Sequence, residues 1–246
     1  MTVEVLAVGA HPDDVELGCG GTLARLAACG RSFAILSLTR GESGSRGTTE
    51  QRKAEAAEGG RILGAAEVVL LDCGDGSLRR GTTEEDAVIA ELRRLRPALV
   101  LLPPPRDRHP DHERACALVR DACYYAGLRR RGAGEPHRPS LVLSYELHQS
   151  LEPTLVVDIA ETFERKLEAL RAHRSQLHGG PRAEAARESA APATWVSSPE
   201  FWALIEARAR VHGARVGCTY GEAFLAHGPL AVVDPLWLLA AHPRAR

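Results

Sequence analysis

Two short stretches of this 246-residue chain gather side chains able to do chemistry: "AHPDDVE" at 10–16 and "RDRHPDHE" at 106–113. His-x-x-Asp from the first and a histidine from the second supply two imidazoles and one carboxylate. A catalytic zinc commonly takes three nitrogen or oxygen ligands and leaves its fourth position to water. Asp13, Arg108, His109 and Asp111 then remain. A carboxylate beside an activated water can take its proton as attack begins. A histidine on the far side can stabilise the developing oxyanion and protonate a leaving amine, with Asp111 to orient it. Together these are the parts of a metal-assisted amide hydrolase.

A lone HPDD is more often a turn than a site, since Asp and Pro are common turn formers. Two matched clusters at corresponding strand ends shift the balance to function. A metal phosphohydrolase is the rival enzyme class, but phosphoryl transfer usually gathers more carboxylates and a second metal. A nucleotide-binding module is disfavoured because Gly18, Gly20 and Gly21 do not form GxGxxG and follow a polar cluster. Those glycines read as close helix–sheet packing. His137, His148, His173, His178, His212, His227 and His242 lack ligand spacing and read mostly as surface or structural.

The elements that must position the clusters follow from apolar periodicity. Short β-rich runs at 3–10, 32–38, 66–72 and 97–105 alternate with helical patterns at 20–30, 48–64 and 82–97. This alternation predicts a mostly parallel α/β sheet flanked by helices. In such sheets the ligand crevice lies beyond the carboxyl ends of the strands, where both clusters sit. Further along come a helix at 112–128, a basic loop at 129–139, strands at 140–147 and 154–160, and helices at 160–177 and 199–213. One domain over 1–246 is expected, with a core half at 1–128 and a C-terminal elaboration at 129–246. The segment 178–198, poor in large apolar residues, reads as a surface loop or lid.

A formal net charge of −1 argues against a nucleic-acid partner, which needs a basic surface. The six cysteines show no CxxC or paired spacing and read as buried thiols of a cytoplasmic protein. The start lacks a signal-peptide pattern, and no apolar run is long enough to span a membrane.

"AHPDDVE" with "RHPDH" resembles the LmbE-like (PIG-L) N-acetylglucosamine deacetylase superfamily. "TRGESGSRGTTEQRKAEA" (39–56), "YYAGLRR" (124–130), "PHRP" (136–139), "VVDI" (156–159), "SSPEFWALIEARAR" (197–210) and "YGEAF" (220–224) make the chain most similar to the bacillithiol-biosynthesis deacetylases. The resemblance implies a Rossmann-like fold and one divalent metal per chain, zinc or another such as Fe2+, held by His11, Asp14 and His112. It implies Asp13 as general base, His109 as oxyanion-stabilising acid and Asp111 as its orienting partner. Arg52, Arg108 and Arg138 match arginines of the family's pocket, and bidentate guanidinium recognition suits a dicarboxylate. The implied reaction removes acetate from N-acetyl-α-D-glucosaminyl L-malate. The alternatives are a mycothiol-type precursor or a bacillithiol-S-conjugate amidase activity. A homo-oligomer, trimer or hexamer, is implied too. His173 and Trp202 depart from the family pattern.

Overall fold

The computed structural model describes residues 1–177 and 194–231. Its centre is a seven-stranded sheet in the order β3-β2-β1-β4-β5-β7-β6. The strands are β1 (Val5–Gly9), β2 (Phe33–Ser37), β3 (Glu67–Leu70), β4 (Leu99–Leu102), β5 (Leu141–Tyr145), β6 (Leu155–Asp158) and β7 (Gly221–Ala226). The first five run parallel, while β7 is antiparallel to both β5 and β6. Among the described residues the helices are α1 (Asp14–Ala28), α2 (Thr49–Leu63), α3 (Thr82–Leu95), α4 (Pro110–Tyr125), α5 (Phe163–Ala172) and α6 (Pro199–Val216).

β1 is buried along its whole length because both faces of the sheet are covered, which is why its sequence shows no polar alternation. Leu6 and Val8 pack with α3 and α4, while Val5 and Ala7 pack with α1. Gly18 and Gly21 let α1 approach closely: a Cβ at Gly18 would lie 2.1 Å from the Tyr145 ring, and one at Gly21 would lie 2.7 Å from Ile159. Strand order reverses between β1 and β4, whose carboxyl ends release the two polar clusters side by side. The fold thus delivers 11–14 and 109–112 to one crevice.

The structure changes several expectations. α1 begins at Asp14, not near residue 20, and is kinked at Cys19, whose φ of −141° is non-helical. The kink frees the backbone N–H groups of Gly21 and Thr22, which donate to Glu222 at 2.9 and 2.7 Å. Glu222 lies on β7, a strand the sequence reading missed because Gly221 and a charged residue interrupt its apolar pattern. Of the cysteines, Cys19, Cys116 and Cys123 are buried as expected, but Cys29 is exposed and Cys73 and Cys218 are half-buried. The lid expected at 178–198 falls mostly outside the described residues. Within 194–198 there is a short 3-10 turn at Trp195–Ser197. No described helix is long and apolar enough to cross a membrane.

Candidate active site

Asp14 opens α1 directly after β1, and its carboxylate lies between two histidines from different elements. Asp14 Oδ2 accepts the His11 backbone N–H at 2.9 Å and sits 3.5 Å from His11 Nδ1. Asp14 Oδ1 is 3.2 Å from Nε2 of His112, in the first turn of α4. His11, His109 and His112 each present a ring nitrogen within 4.8 Å of the others. Asp13 faces the same cavity of about 360 Å³, with Arg52 at 3.4 Å from its Oδ1.

These groups fit a divalent cation on their own chemistry. Burial disfavours the His112 imidazolium, yet Asp14 and Asp107 outweigh it and lift its pKa to about 9. His11 is raised in the same way, against burial, by Asp14, Asp111 and Asp75. Asp14 is held well below the usual carboxylate range, with the charges of His112 and His11 overcoming its burial. The carboxylates therefore draw positive charge into the pocket. Protonated histidines meet that demand in the metal-free protein, and a divalent cation meets it with release of those protons. Two imidazoles and a carboxylate are a donor set suited to zinc and its neighbours.

His109 is the N-cap of α4, and its Nδ1 accepts the backbone N–H of Asp111 at 3.2 Å. With Nδ1 occupied as an acceptor, the neutral ring carries its proton on Nε2. Burial, then the charges of His11 and His112, lower the His109 pKa and favour that neutral form. Asp111 thus meets His109 through its backbone N–H, while its carboxylate is engaged elsewhere. That carboxylate accepts from Gly76 N–H at 2.8 Å and from Arg114 at 3.0 Å, and lies 3.7 Å from His11 Nε2.

The model of the PIG-L family, GlcNAc-PI de-N-acetylase, matches residues 6–123, the span that carries both clusters. Diacetylchitobiose deacetylase of Thermococcus kodakarensis is 33% identical over 193 residues, covering 71% of this chain and 70% of that protein. The chain belongs to the PIG-L deacetylase family. Among solved structures, the conserved protein TT1542 of Thermus thermophilus is similar at 37% identity and a TM-score of 0.84, covering 95% of this chain and 99% of that one. A probable N-acetyl-α-D-glucosaminyl L-malate deacetylase 2 of Bacillus cereus is 28% identical, covering 82% of this chain and 98% of that protein.

In this PIG-L family member the cavity also holds residues that sequence reasoning did not single out. Asp107 accepts from the backbone N–H groups of His109, His148 and Gln149 and lies 3.2 Å from His112 Nδ1. It thereby turns His112 Nε2 toward Asp14. His148, read as surface or structural, lines the cavity with its ring stacked 5.4 Å from that of His112. Asp75 enters from the loop after β3. Its "DG" context reads as an ordinary turn, so no spacing signal marked it. Leu17, Leu177, Val196 and Phe201 form an apolar wall.

The three candidate arginines part company. Arg52 is buried in the cavity wall and donates to Gly41 O at 3.0 Å as well as facing Asp13. Arg108 is exposed beside His109. Arg138 precedes β5, so it lies at the amino end of the parallel strands, opposite the crevice. Its guanidinium stacks on Tyr124 and donates to Tyr124 O. Unlike Arg52, Arg138 therefore does not line the cavity of this chain, because the parallel sheet separates the two ends of β5.

Proposed function

We propose that the protein is a zinc-dependent N-deacetylase that hydrolyses the acetamide of N-acetylglucosamine carried on a polar aglycone. Zinc is assigned to His11, Asp14 and His112. The observation that carries this reading is the Asp14 carboxylate set between His11 and His112, with Asp13 and His109 facing the same cavity. When bound, a divalent ion there supplies Lewis acidity to the acetyl carbonyl and lowers the pKa of water. Asp13, partly open to the cavity and held by Arg52, takes the proton of the attacking water. His109 donates a hydrogen bond from its Nε2–H to the oxygen that becomes negative. The neutral ring has no second proton to give, so the proton taken up by Asp13 is the one returned to the departing amine.

The aglycone assigned is L-malate, as in a bacillithiol-type precursor, with Arg52 in the cavity wall and the exposed Arg108, next to His109 in the chain, as its cationic contacts. The name of the Bacillus cereus relative supports this. A second reading, diacetylchitobiose, is favoured by the identity to the Thermococcus kodakarensis enzyme and by the remote position of Arg138. The reading includes a cytoplasmic homotrimer or hexamer, which light scattering of the purified protein tests. The deciding assay incubates metal-analysed protein with N-acetylglucosaminyl malate, diacetylchitobiose and free N-acetylglucosamine and measures released amine. The malate conjugate is expected to turn over fastest. Faster turnover of diacetylchitobiose selects the second reading, and no amine from any of the three refutes the function.

A further inference from the structure

His11 has two ring nitrogens, and they face different company. Nδ1 faces Asp14, on the side shared with His112 Nε2. Nε2 points the other way, 3.2 Å from Asp75 Oδ1 and 3.7 Å from Asp111 Oδ2. It is fully buried yet makes no hydrogen bond of good geometry. A donor nitrogen left this way in an interior is costly unless a partner closes on it.

The Asp75 carboxylate is held in place for that role. Its Oδ2 accepts the Ser43 N–H at 2.9 Å, its own carbonyl accepts the Ser43 hydroxyl at 2.8 Å, and its N–H donates to Glu42 at 2.7 Å. The next residue, Gly76, donates its N–H to Asp111 at 2.8 Å. One oxygen of Asp75 is thus clamped by backbone, and the other is aimed at His11. The carboxylate is 8% exposed and that of Asp111 is 1% exposed, so water is a poor competitor for His11 Nε2.

We infer that Asp75 is a positioning residue for the metal centre: it accepts the Nε2–H of His11, fixes that tautomer, and leaves the Nδ1 lone pair for the ion. Asp111 supports the same nitrogen from the second motif. The loop after β3 is therefore part of the metal site, although it supplies no ligand. A carboxylate behind a ligating imidazole also raises the basicity of the ligand.

This rests on the assignment of His11 as a metal ligand, and the test separates the two. Metal-free protein is titrated with zinc against a chromophoric chelator, for wild type and for Asp75→Asn. Asp75→Asn is expected to bind zinc about 10–100-fold more weakly, the usual cost of losing such a partner, with an unchanged metal-free melting temperature. Equal zinc affinity with only a raised KM makes Asp75 a substrate contact and overturns the inference. Failure of the wild type to take up zinc removes the metal assignment itself, and this inference with it. A second measurement needs no variant: long-range 15N–1H correlation of histidine-labelled, zinc-loaded wild type. It is expected to show His11 with Nδ1 bound to metal and Nε2 protonated. The opposite tautomer contradicts the proposal.

Discussion

Two regions of this protein are crowded with buried ionisable side chains, and only one of them is a candidate site. In the crevice, His11, Asp13, Asp14, His109 and His112 converge on a cavity of about 360 Å³. Behind it, under α6 and β7, Glu146, Lys166, Arg208, His212 and Glu222 converge on each other around a void of about 20 Å³, room for a single water. There Lys166 meets Glu222 at 2.6 Å, Arg208 meets Glu146 at 2.9 Å, and His212 meets Glu146 at 3.1 Å. Opposite charges are matched within the second cluster. The first holds carboxylates whose demand for positive charge is directed into open space. Burial of charge alone does not mark a site; charge turned toward a cavity a ligand can enter does.

Substitutions can break this contrast. His112→Ala is expected to lose most bound metal and nearly all activity while the protein still folds, as metal analysis beside circular dichroism would show. Asp13→Asn should keep its metal and lower kcat by about 10²–10⁴-fold, the usual range for loss of a general base. Wild-type turnover in that variant would move the base elsewhere.

The second region should respond in the opposite sense. Lys166→Met leaves Glu222 buried without its partner and is expected to cost about 3–5 kcal/mol in urea unfolding. The double variant Lys166→Met/Glu222→Leu should recover part of that loss, less the two backbone bonds that Glu222 accepts from α1. In both, kcat of the folded fraction should stay at the wild-type value. A selective loss of kcat would join the two regions functionally and erase the distinction drawn between them.

Smaller effects sharpen the picture. Arg108→Ala should lower kcat/KM on the malate conjugate about tenfold more than on diacetylchitobiose, in line with one charged hydrogen bond; equal penalties would remove the aglycone clamp. His173 lies between the regions, buried and 3.3 Å from Glu16. Burial disfavours its charged form, but Glu16 more than compensates and raises its pKa. Its folded pKa thus exceeds the unfolded value of about 6.5. The stabilisation is full below that value and is lost as pH rises through the folded pKa. The stability difference between wild type and His173→Gln should therefore shrink with rising pH, as urea midpoints across a pH series would show.

What was legible in the sequence depended on locality. β1 to β6 announced themselves as apolar runs, and the two HPD clusters carried their chemistry in adjacent residues. The sequence pattern failed where a residue's role is set by distant partners. Glu222 sits in a strand because three buried donors from α1 and α5 await it, which no local pattern reports. Asp75 looks like a turn residue until the Ser43 loop folds against it. Asp107 was visible beside the second cluster, yet its partners at 148 and 149 lie on the far side of β5 in the chain. Arg138 shows the converse: its motif context suggested the pocket, and strand direction placed it at the other end of the sheet.

Anomalous diffraction at the zinc edge, from crystals of the zinc-loaded protein, tests the central claim most directly. The account predicts one strong peak bounded by His11 Nδ1, Asp14 and His112 Nε2. A sole peak among Asp107, His112 and His148, or no peak within reach of His11 and Asp14, would contradict it.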